Sequence, residues 1–131
     1  MALQVPPNCD LTLGLRCVDK SEPGATVWEM KADERFANPA GIIQGGFLAA
    51  MLDSSMGASA VTALRGRRAN VANAEMKISF LRPARVGGVL RCVTKTTHAG
   101  STVLFLEGQI LDHDGHVVAT ATSSYIARDR A

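Results

Sequence analysis

Aromatic residues are scarce in this sequence, at 5% of 131 residues, and neither positive nor negative charges are in marked excess. Stacking on nucleic acid bases needs interleaved aromatic side chains, and a net charge of +2 provides no marked basic stripe. Three scattered cysteines, Cys9, Cys17 and Cys92, form neither a disulfide framework nor a paired metal knuckle. We therefore expect no nucleic acid partner. We also expect the three cysteines to be small buried residues with free thiols in a reducing compartment, the cytoplasm.

The pattern of a secretory leader or a membrane span is also missing. Residues 1–10 lack a basic stretch followed by an apolar run. The most apolar segment, residues 41–64, contains Gln44 and Asp53, and a carboxylate in the middle of a span is costly in a bilayer. This segment therefore predicts a helix buried in a soluble protein without a membrane partner.

The hydrophobic period changes along the chain. Residues 1–12 are expected to be irregular, and residues 13–19 and 26–31 to form two strands joined by a hairpin. Apolar residues at helical spacing predict one long helix over residues 45–64. A period of two then predicts four strands in hairpin succession. They are expected at residues 75–80, 89–96, 102–111 and 117–127.

This order of elements predicts a single α+β domain over residues 1–131. Strands joined by tight turns form an antiparallel sheet, and one mainly apolar helix packs on the concave face of such a sheet. A chain of this length buries only about two thirds of its unfolded surface, so association into an oligomer would stabilise it.

Two glycines stand at the start of the predicted helix. Gly45 and Gly46 leave the first N–H groups sterically open, at the positive end of the helix dipole. Such a position can hold a polarised carbonyl or an oxyanion. The alternative, which the glycines alone favour, is that they only allow close contact between helix and sheet.

Asp53 interrupts the apolar helix. Its carboxylate either faces a pocket or caps a second helix that begins at Ser54, and the residues alone do not separate these alternatives. On one continuous helix Gly45 and Asp53 lie about 12 Å apart along the axis. Both can therefore act on one carbonyl only if they belong to two helices. The simplest second helix is that of another subunit, related by a two-fold axis.

Residues 38–53, NPAGIIQGGFLAAMLD, and residues 73–84, NAEMKISFLRPA, resemble the signature of hotdog-fold acyl-CoA thioesterases of the phenylacetate-degradation (PaaI-like) type. That family carries Asn, Gly, His-Gly-Gly and Asp or Glu at this spacing, and the resemblance covers residues 13–127. It implies a hotdog fold, with a long helix wrapped by a curved antiparallel sheet, in a homodimer or dimer of dimers. It also implies hydrolysis of an acyl-CoA without a metal or redox cofactor, CoA being part of the substrate.

The resemblance implies catalytic roles for five residues. Asp53 is the nucleophile or general base, and the Gly45 amide polarises the thioester carbonyl from the opposite subunit. Asn38 places the thioester or the water. Asn73 stands where the family often has a Ser or Thr that orients the water. Gln44 replaces the family histidine, so it can donate a hydrogen bond but cannot titrate.

Substrate binding is expected at Gly46 and at two arginines, Arg82 and Arg85, which suit the phosphates of CoA. A second basic cluster, Arg65, Arg67 and Arg68, is a further candidate, and a solvated rim is the alternative for both clusters. Met51, Met56 and Phe80 are candidate pocket residues or plain core. Aromatic and medium-chain acyl groups both stay open.

Two other functions compete with hydrolysis. Gln44 makes a non-catalytic acyl-CoA-binding or regulatory protein plausible, whereas Asp53 favours an enzyme. A hotdog dehydratase needs a histidine beside a carboxylate. The histidines, His98, His113 and His116, instead fall at turns, so we expect neither a dehydratase nor a metal site.

Overall fold

One long helix lies against a six-stranded antiparallel sheet in the computed structural model, which describes residues 4–131. The elements in chain order are α1 (Asn8–Leu13), β1 (Arg16–Glu22), β2 (Ala25–Lys31), α2 (Gly45–Ala63), β3 (Ala69–Phe80), β4 (Val89–Ala99), β5 (Val103–Leu111) and β6 (Val117–Asp129). A short 3-10 turn, Glu34–Phe36, precedes α2. The predicted α+β class, with its long helix and antiparallel sheet, is confirmed.

The strand order β1-β2-β4-β5-β6-β3 confirms the predicted β4–β5 and β5–β6 hairpins and corrects the predicted β3–β4 hairpin. β3 pairs with β6, and β4 pairs with β2. The connection between β3 and β4, residues 81–88, runs past the start of α2 and does not close a hairpin. Hydrogen bonds hold it there, from Ile43 N–H to Ala84 O at 2.7 Å and from Ala32 N–H to Gly88 O at 3.1 Å.

The N-terminal segment also differs from its prediction. Residues 1–3 lie outside the described part of the chain, but residues 8–12 belong to α1 and are not irregular. Leu13 and Leu15 are buried, so burial of apolar side chains holds this short helix on the domain. β1 accordingly begins at Arg16, three residues later than expected.

The core fills the space between α2 and the sheet. From α2 it takes Leu48, Met51, Leu52, Met56 and Ala60, and from the strands mainly Met30, Leu90, Leu104, Leu106, Ile110 and Val118. Met51 and Met56 are fully buried, so they belong to the core. A Cβ at Gly108 would lie 3.2 Å from Leu52 Cδ2 and 3.5 Å from Met56 Cγ, so glycine there lets α2 approach β5 closely.

The cysteines correct one expectation. Cys92 is buried, but Cys9 and Cys17 are exposed, because they lie on the solvent side of α1 and on the edge strand β1. Burial raises the pKa of Cys92 to about 12, which leaves its thiol protonated and unreactive. Within residues 4–131 no helix has both the length and the apolar character needed to cross a membrane.

Candidate active site

Asp53 lies in the middle of α2, which runs without a break from Gly45 to Ala63. The alternative of a second helix that begins at Ser54 is therefore wrong. Asp53 is exposed, whereas its neighbour Leu52 is fully buried. Its carboxylate turns towards the edge of the sheet formed by β3 and β6, where polar side chains meet it.

Two side chains from these strands hold one oxygen of the carboxylate. The hydroxyl of Tyr125 donates to Asp53 Oδ1 at 2.7 Å, and the amide Nδ2 of Asn73 donates to the same oxygen at 3.1 Å. Asn73 and Tyr125 are direct partners in the β3–β6 register. The other oxygen, Oδ2, has no hydrogen-bond partner within the described residues. The structure thus brings together two residues predicted for the site, Asp53 and Asn73.

A β-bulge in β3 points Asn73 towards α2. The register shifts between Asn73 and Glu75, so Ala74 has no partner in β6. Strict alternation would put Asn73 and Met76 on opposite faces of the sheet. With the extra residue both face inwards, and Asn73 Nδ2 lies 3.7 Å from Met76 Sδ.

Ser123 on β6 fixes the amide of Asn73. Its hydroxyl lies 2.8 Å from Asn73 Oδ1 and 2.8 Å from the carbonyl oxygen of Glu75, and it can donate to either. With Oδ1 facing this donor, the Nδ2 group of Asn73 faces Asp53. Burial, followed by the hydrogen bond and negative charge of Asp53, raises the pKa of Tyr125 well above its ordinary value. The hydroxyl therefore remains a donor.

The second part of the predicted site is a groove at the start of α2, with a volume of about 570 Å³. Its lining includes Asn38, Gln44, Gly45, Leu48, Phe80 and Arg82. The N–H groups of Gly45 and Gly46 find no acceptor among residues 4–131. A Cβ on Gly45 would lie 2.9 Å from Phe80 Cζ, so the Phe80 ring lies directly against the first helical turn. Gly46 faces open space and does not line the groove.

The loop before α2 is shaped by Asn38. Its Oδ1 accepts the N–H groups of Ala40 at 2.9 Å and Ile42 at 3.1 Å, which leaves its NH₂ group available to a ligand. Gln44 is the N-cap residue, but its side chain makes no capping hydrogen bond and is exposed. Its backbone N–H donates to Phe36 O at 2.9 Å, which fixes the position of the helix start.

The two basic clusters differ in their contacts. Arg67 donates to Asp129 at 2.7 Å and to Ser101 O at 2.6 Å, so it ties the end of α2 to the sheet. The side chains of Arg82 and Arg85 make no hydrogen bond or ion pair within the described chain. Both line a smaller cavity of about 320 Å³ beside the β5–β6 turn. Because neither arginine is engaged in an ion pair within residues 4–131, they are better candidates for an anionic ligand than Arg67, although Asp112 and Asp114 line the same cavity.

One turn brings metal-ligand atoms together: atoms of Asp112, Asp114 and His116 lie within 4.8 Å of one another. The Oδ1 atom of Asp112 already accepts the N–H groups of His116 at 2.9 Å and Asp114 at 3.0 Å. These bonds, led by that of His116, hold the pKa of Asp112 below its ordinary range. The arrangement is that of a turn closed by its own aspartate.

Comparisons with known proteins decide the family. The family model described as Thioesterase superfamily matches residues 40–119. The chain belongs to the thioesterase superfamily. A protein of Saccharolobus solfataricus named as an esterase is 32% identical over 110 residues, which cover 83% of this thioesterase and 76% of that protein. Human acyl-coenzyme A thioesterase 13 is 26% identical over 98 residues, 75% of this chain and 69% of the human protein.

A solved structure agrees with this assignment. The phenylacetic acid degradation-related protein of Ralstonia eutropha JMP134 is 35% identical, with a TM-score of 0.82 over 95% of this chain and 92% of that one. The resemblance to thioesterases of the phenylacetate-degradation type and the hotdog fold are thus confirmed. The protein is a thioester hydrolase.

Two members of the Asp53 cluster of this thioesterase, Ser123 and Tyr125, were not predicted from the sequence. One signal was available in the sequence. Tyr125 is the single tyrosine of the chain, and it stands in a predicted strand whose other residues are mostly small. Tyr125 is 2% exposed, and a buried tyrosine hydroxyl needs a hydrogen-bond partner. The sequence does not reveal which residue provides that partner.

Proposed function

We propose that this thioesterase hydrolyses acyl-CoA thioesters to a free acid and CoA, at a site completed by two protomers. One observation carries the proposal: the Asp53 cluster and the open N–H groups at Gly45 lie on one unbroken helix, eight residues apart. That spacing is about 12 Å along the axis, too far for both to contact one carbonyl. The identity to human acyl-coenzyme A thioesterase 13 supports CoA as the thiol part of the substrate.

The surface beside Asp53 suits a second copy of the chain. β3 is an edge strand of 12 residues without proline, and a long uncovered edge is a template for strand pairing. Next to this edge α2 presents small residues, Gly46, Ala50 and Gly57, around Asp53. Antiparallel pairing of two β3 strands would lay the helices side by side. Gly45 would then lie near the partner's Asp53, twice per homodimer, and a dimer of dimers would repeat this unit.

In the proposed reaction the Gly45 N–H polarises the thioester carbonyl, and Gln44 adds a neutral donor. Asp53 acts from the other protomer. As a general base it takes a proton from water, which adds to the carbonyl carbon; as a nucleophile it forms an anhydride that water then hydrolyses. In both routes the C–S bond breaks and the thiolate of CoA takes up a proton. Water, a carboxylate and backbone donors are sufficient, so we propose no metal or redox cofactor.

The lining of the groove suits binding of an apolar acyl group. Leu48 and Phe80 contribute apolar walls, and a volume of about 570 Å³ accommodates an aromatic or a medium-chain acyl group. Arg82 lines both this groove and the adjoining cavity that contains Arg85. We propose that these two arginines bind CoA phosphates at the mouth of the groove, with Asn38 at its helix end and Gly46 on the exposed side of α2 beside it.

A panel of acyl-CoA esters, assayed for release of free thiol, tests the proposed function. We expect turnover that depends on the acyl group and that is nearly abolished in Asp53→Asn. A non-catalytic acyl-CoA-binding protein would bind the esters and turn over none of them. Wild-type turnover in Asp53→Asn would show that the carboxylate is structural.

A further inference from the structure

We infer that Tyr125 is a positioning residue that holds one oxygen of Asp53, Oδ1, so that the other oxygen, Oδ2, is the one that reacts. The inference rests on the proposed role of Asp53 and goes beyond it, because it assigns separate tasks to the two carboxylate oxygens. Tyr125 itself touches no substrate in this arrangement. It acts only through the orientation of the Asp53 side chain.

The hydrogen bonds are all on one side of the carboxylate. Tyr125 and Asn73 both donate to Oδ1, at 2.7 and 3.1 Å, and within residues 4–131 Oδ2 accepts from no protein group. The Tyr125 hydroxyl also lies 2.8 Å from the carbonyl oxygen of Asp53, so it touches side chain and backbone of the same residue. An otherwise exposed carboxylate thus has one fixed oxygen and one oxygen free for a water or a carbonyl carbon.

The position of Tyr125 suits this task. Its side chain is buried, and β6 is paired on both sides, with β5 and β3. The position of the Tyr125 ring is therefore fixed by an inner strand of the sheet, whereas the position of Asp53 is fixed by α2. The hydroxyl links these two elements at the reacting group, which limits the rotamers of Asp53 and favours a reactive orientation.

Tyr125 is a permanent donor. Burial and the neighbouring Asp53 charge raise its pKa, so the hydroxyl keeps its proton at neutral pH. Tyr125 therefore does not exchange protons with the substrate. Asn73 adds the second donor and is itself oriented by Ser123.

Tyr125→Phe tests the inference, because it removes the hydroxyl and keeps the ring. We expect kcat to fall about tenfold, as for loss of one hydrogen bond to a charged group, with KM within about twofold of wild type. Thr94→Val is the matched control, since it also removes a buried hydroxyl beneath α2, one that contacts Ser59 at 2.6 Å. It is expected to lower the melting temperature and leave kcat unchanged. Wild-type kcat in a folded Tyr125→Phe overturns the inference.

Biosynthetic incorporation of 3-fluorotyrosine gives a second measurement that does not depend on the folding of Tyr125→Phe. The chain has one tyrosine, so one ¹⁹F resonance reports on this hydroxyl. We expect wild-type kcat within about twofold and a shifted resonance in the Asp53→Asn background. An unchanged resonance would show that Tyr125 does not contact the carboxylate. Failure of the proposed function is distinct: it appears as normal turnover in Asp53→Asn itself.

Discussion

Replacement of Asp53 separates the chemistry of the carboxylate from its part in the fold. In Asp53→Asn, the amide oxygen can still accept from Tyr125 and Asn73, which donate to Oδ1 at 2.7 and 3.1 Å in the wild type. Only the charge and the reactive oxygen are lost. We expect a loss of kcat of about a thousandfold or more, because the amide can neither remove a proton nor attack the thioester.

The stability change should be small by comparison. Two charge-assisted bonds become neutral ones on an exposed side chain, which we expect to cost about 1 kcal/mol. Asp53→Ala removes the nearer acceptor of Asn73, which keeps the Tyr125 hydroxyl at 3.4 Å, while Tyr125 keeps the backbone carbonyl of residue 53 at 2.8 Å. Alanine is therefore expected to cost about 1–2 kcal/mol, offset in part by its helix propensity. Urea unfolding and the thiol-release assay, run on both variants, measure the two effects separately.

The same variants change the titration of Tyr125. The Asp53 hydrogen bond and charge raise the pKa of the Tyr125 hydroxyl, and burial raises it further, so Asp53→Asn should lower this pKa without restoring the ordinary value of 10.0. Absorbance of the single tyrosine follows the titration. Because the folded pKa lies above the unfolded one, this group contributes stability below pH 10 that is lost as the pH rises further. An identical titration in wild type and Asp53→Asn would refute the contact.

Three further predictions concern the helix start and the cysteines. Gln44→Ala should lower kcat about ten- to a hundredfold with little loss of stability, since the Gln44 side chain makes no capping bond. Gln44→His should retain turnover and make kcat depend on pH near neutrality. Wild-type rates in Gln44→Ala at every pH would exclude Gln44 from the chemistry. Gly46→Ala should leave the protomer folded, because within one protomer only Gln44 Oε1, at 3.9 Å, lies near the new methyl group; loss of the helical circular dichroism signal would contradict the open space there. Thiol reagents should modify Cys9 and Cys17 in the native protein and reach Cys92 only on unfolding; rapid labelling of three thiols would show that Cys92 is not buried.

The sequence predicts the helix better than the sheet, for a physical reason. The start of α2 is set by local residues, Gln44 and two glycines before an apolar period, so its first residue was predicted correctly. Strand order depends on where a connection runs. Residues 81–88 contain the proline and glycines of a turn, and only their contacts with Ile43 and Ala32 reveal that they pass the helix start instead.

In the candidate site, too, the features that depend on local sequence were predictable and those that depend on strand pairing were not. The roles of Asp53, Asn73, Gln44 and Gly45 were predicted from the resemblance of residues 38–53 and 73–84 to a family signature, and the structure places these four residues in two groups. Tyr125 is far from Asp53 along the chain, and the bulge at Ala74 that turns Asn73 inwards leaves no trace in composition. Neither contact is predictable without the register of β3 on β6.

Mixed dimers test the central claim most directly. Asp53→Asn has no carboxylate, and Gly45→Trp fills the groove at the start of α2. If each site takes Asp53 from one protomer and Gly45 from its partner, a dimer of one chain of each kind keeps one intact site. Unfolding and refolding an equal mixture should then restore about a quarter of wild-type turnover, since half of the dimers are mixed and each has one of two sites. Turnover no higher than that of either variant alone would contradict a site shared between protomers.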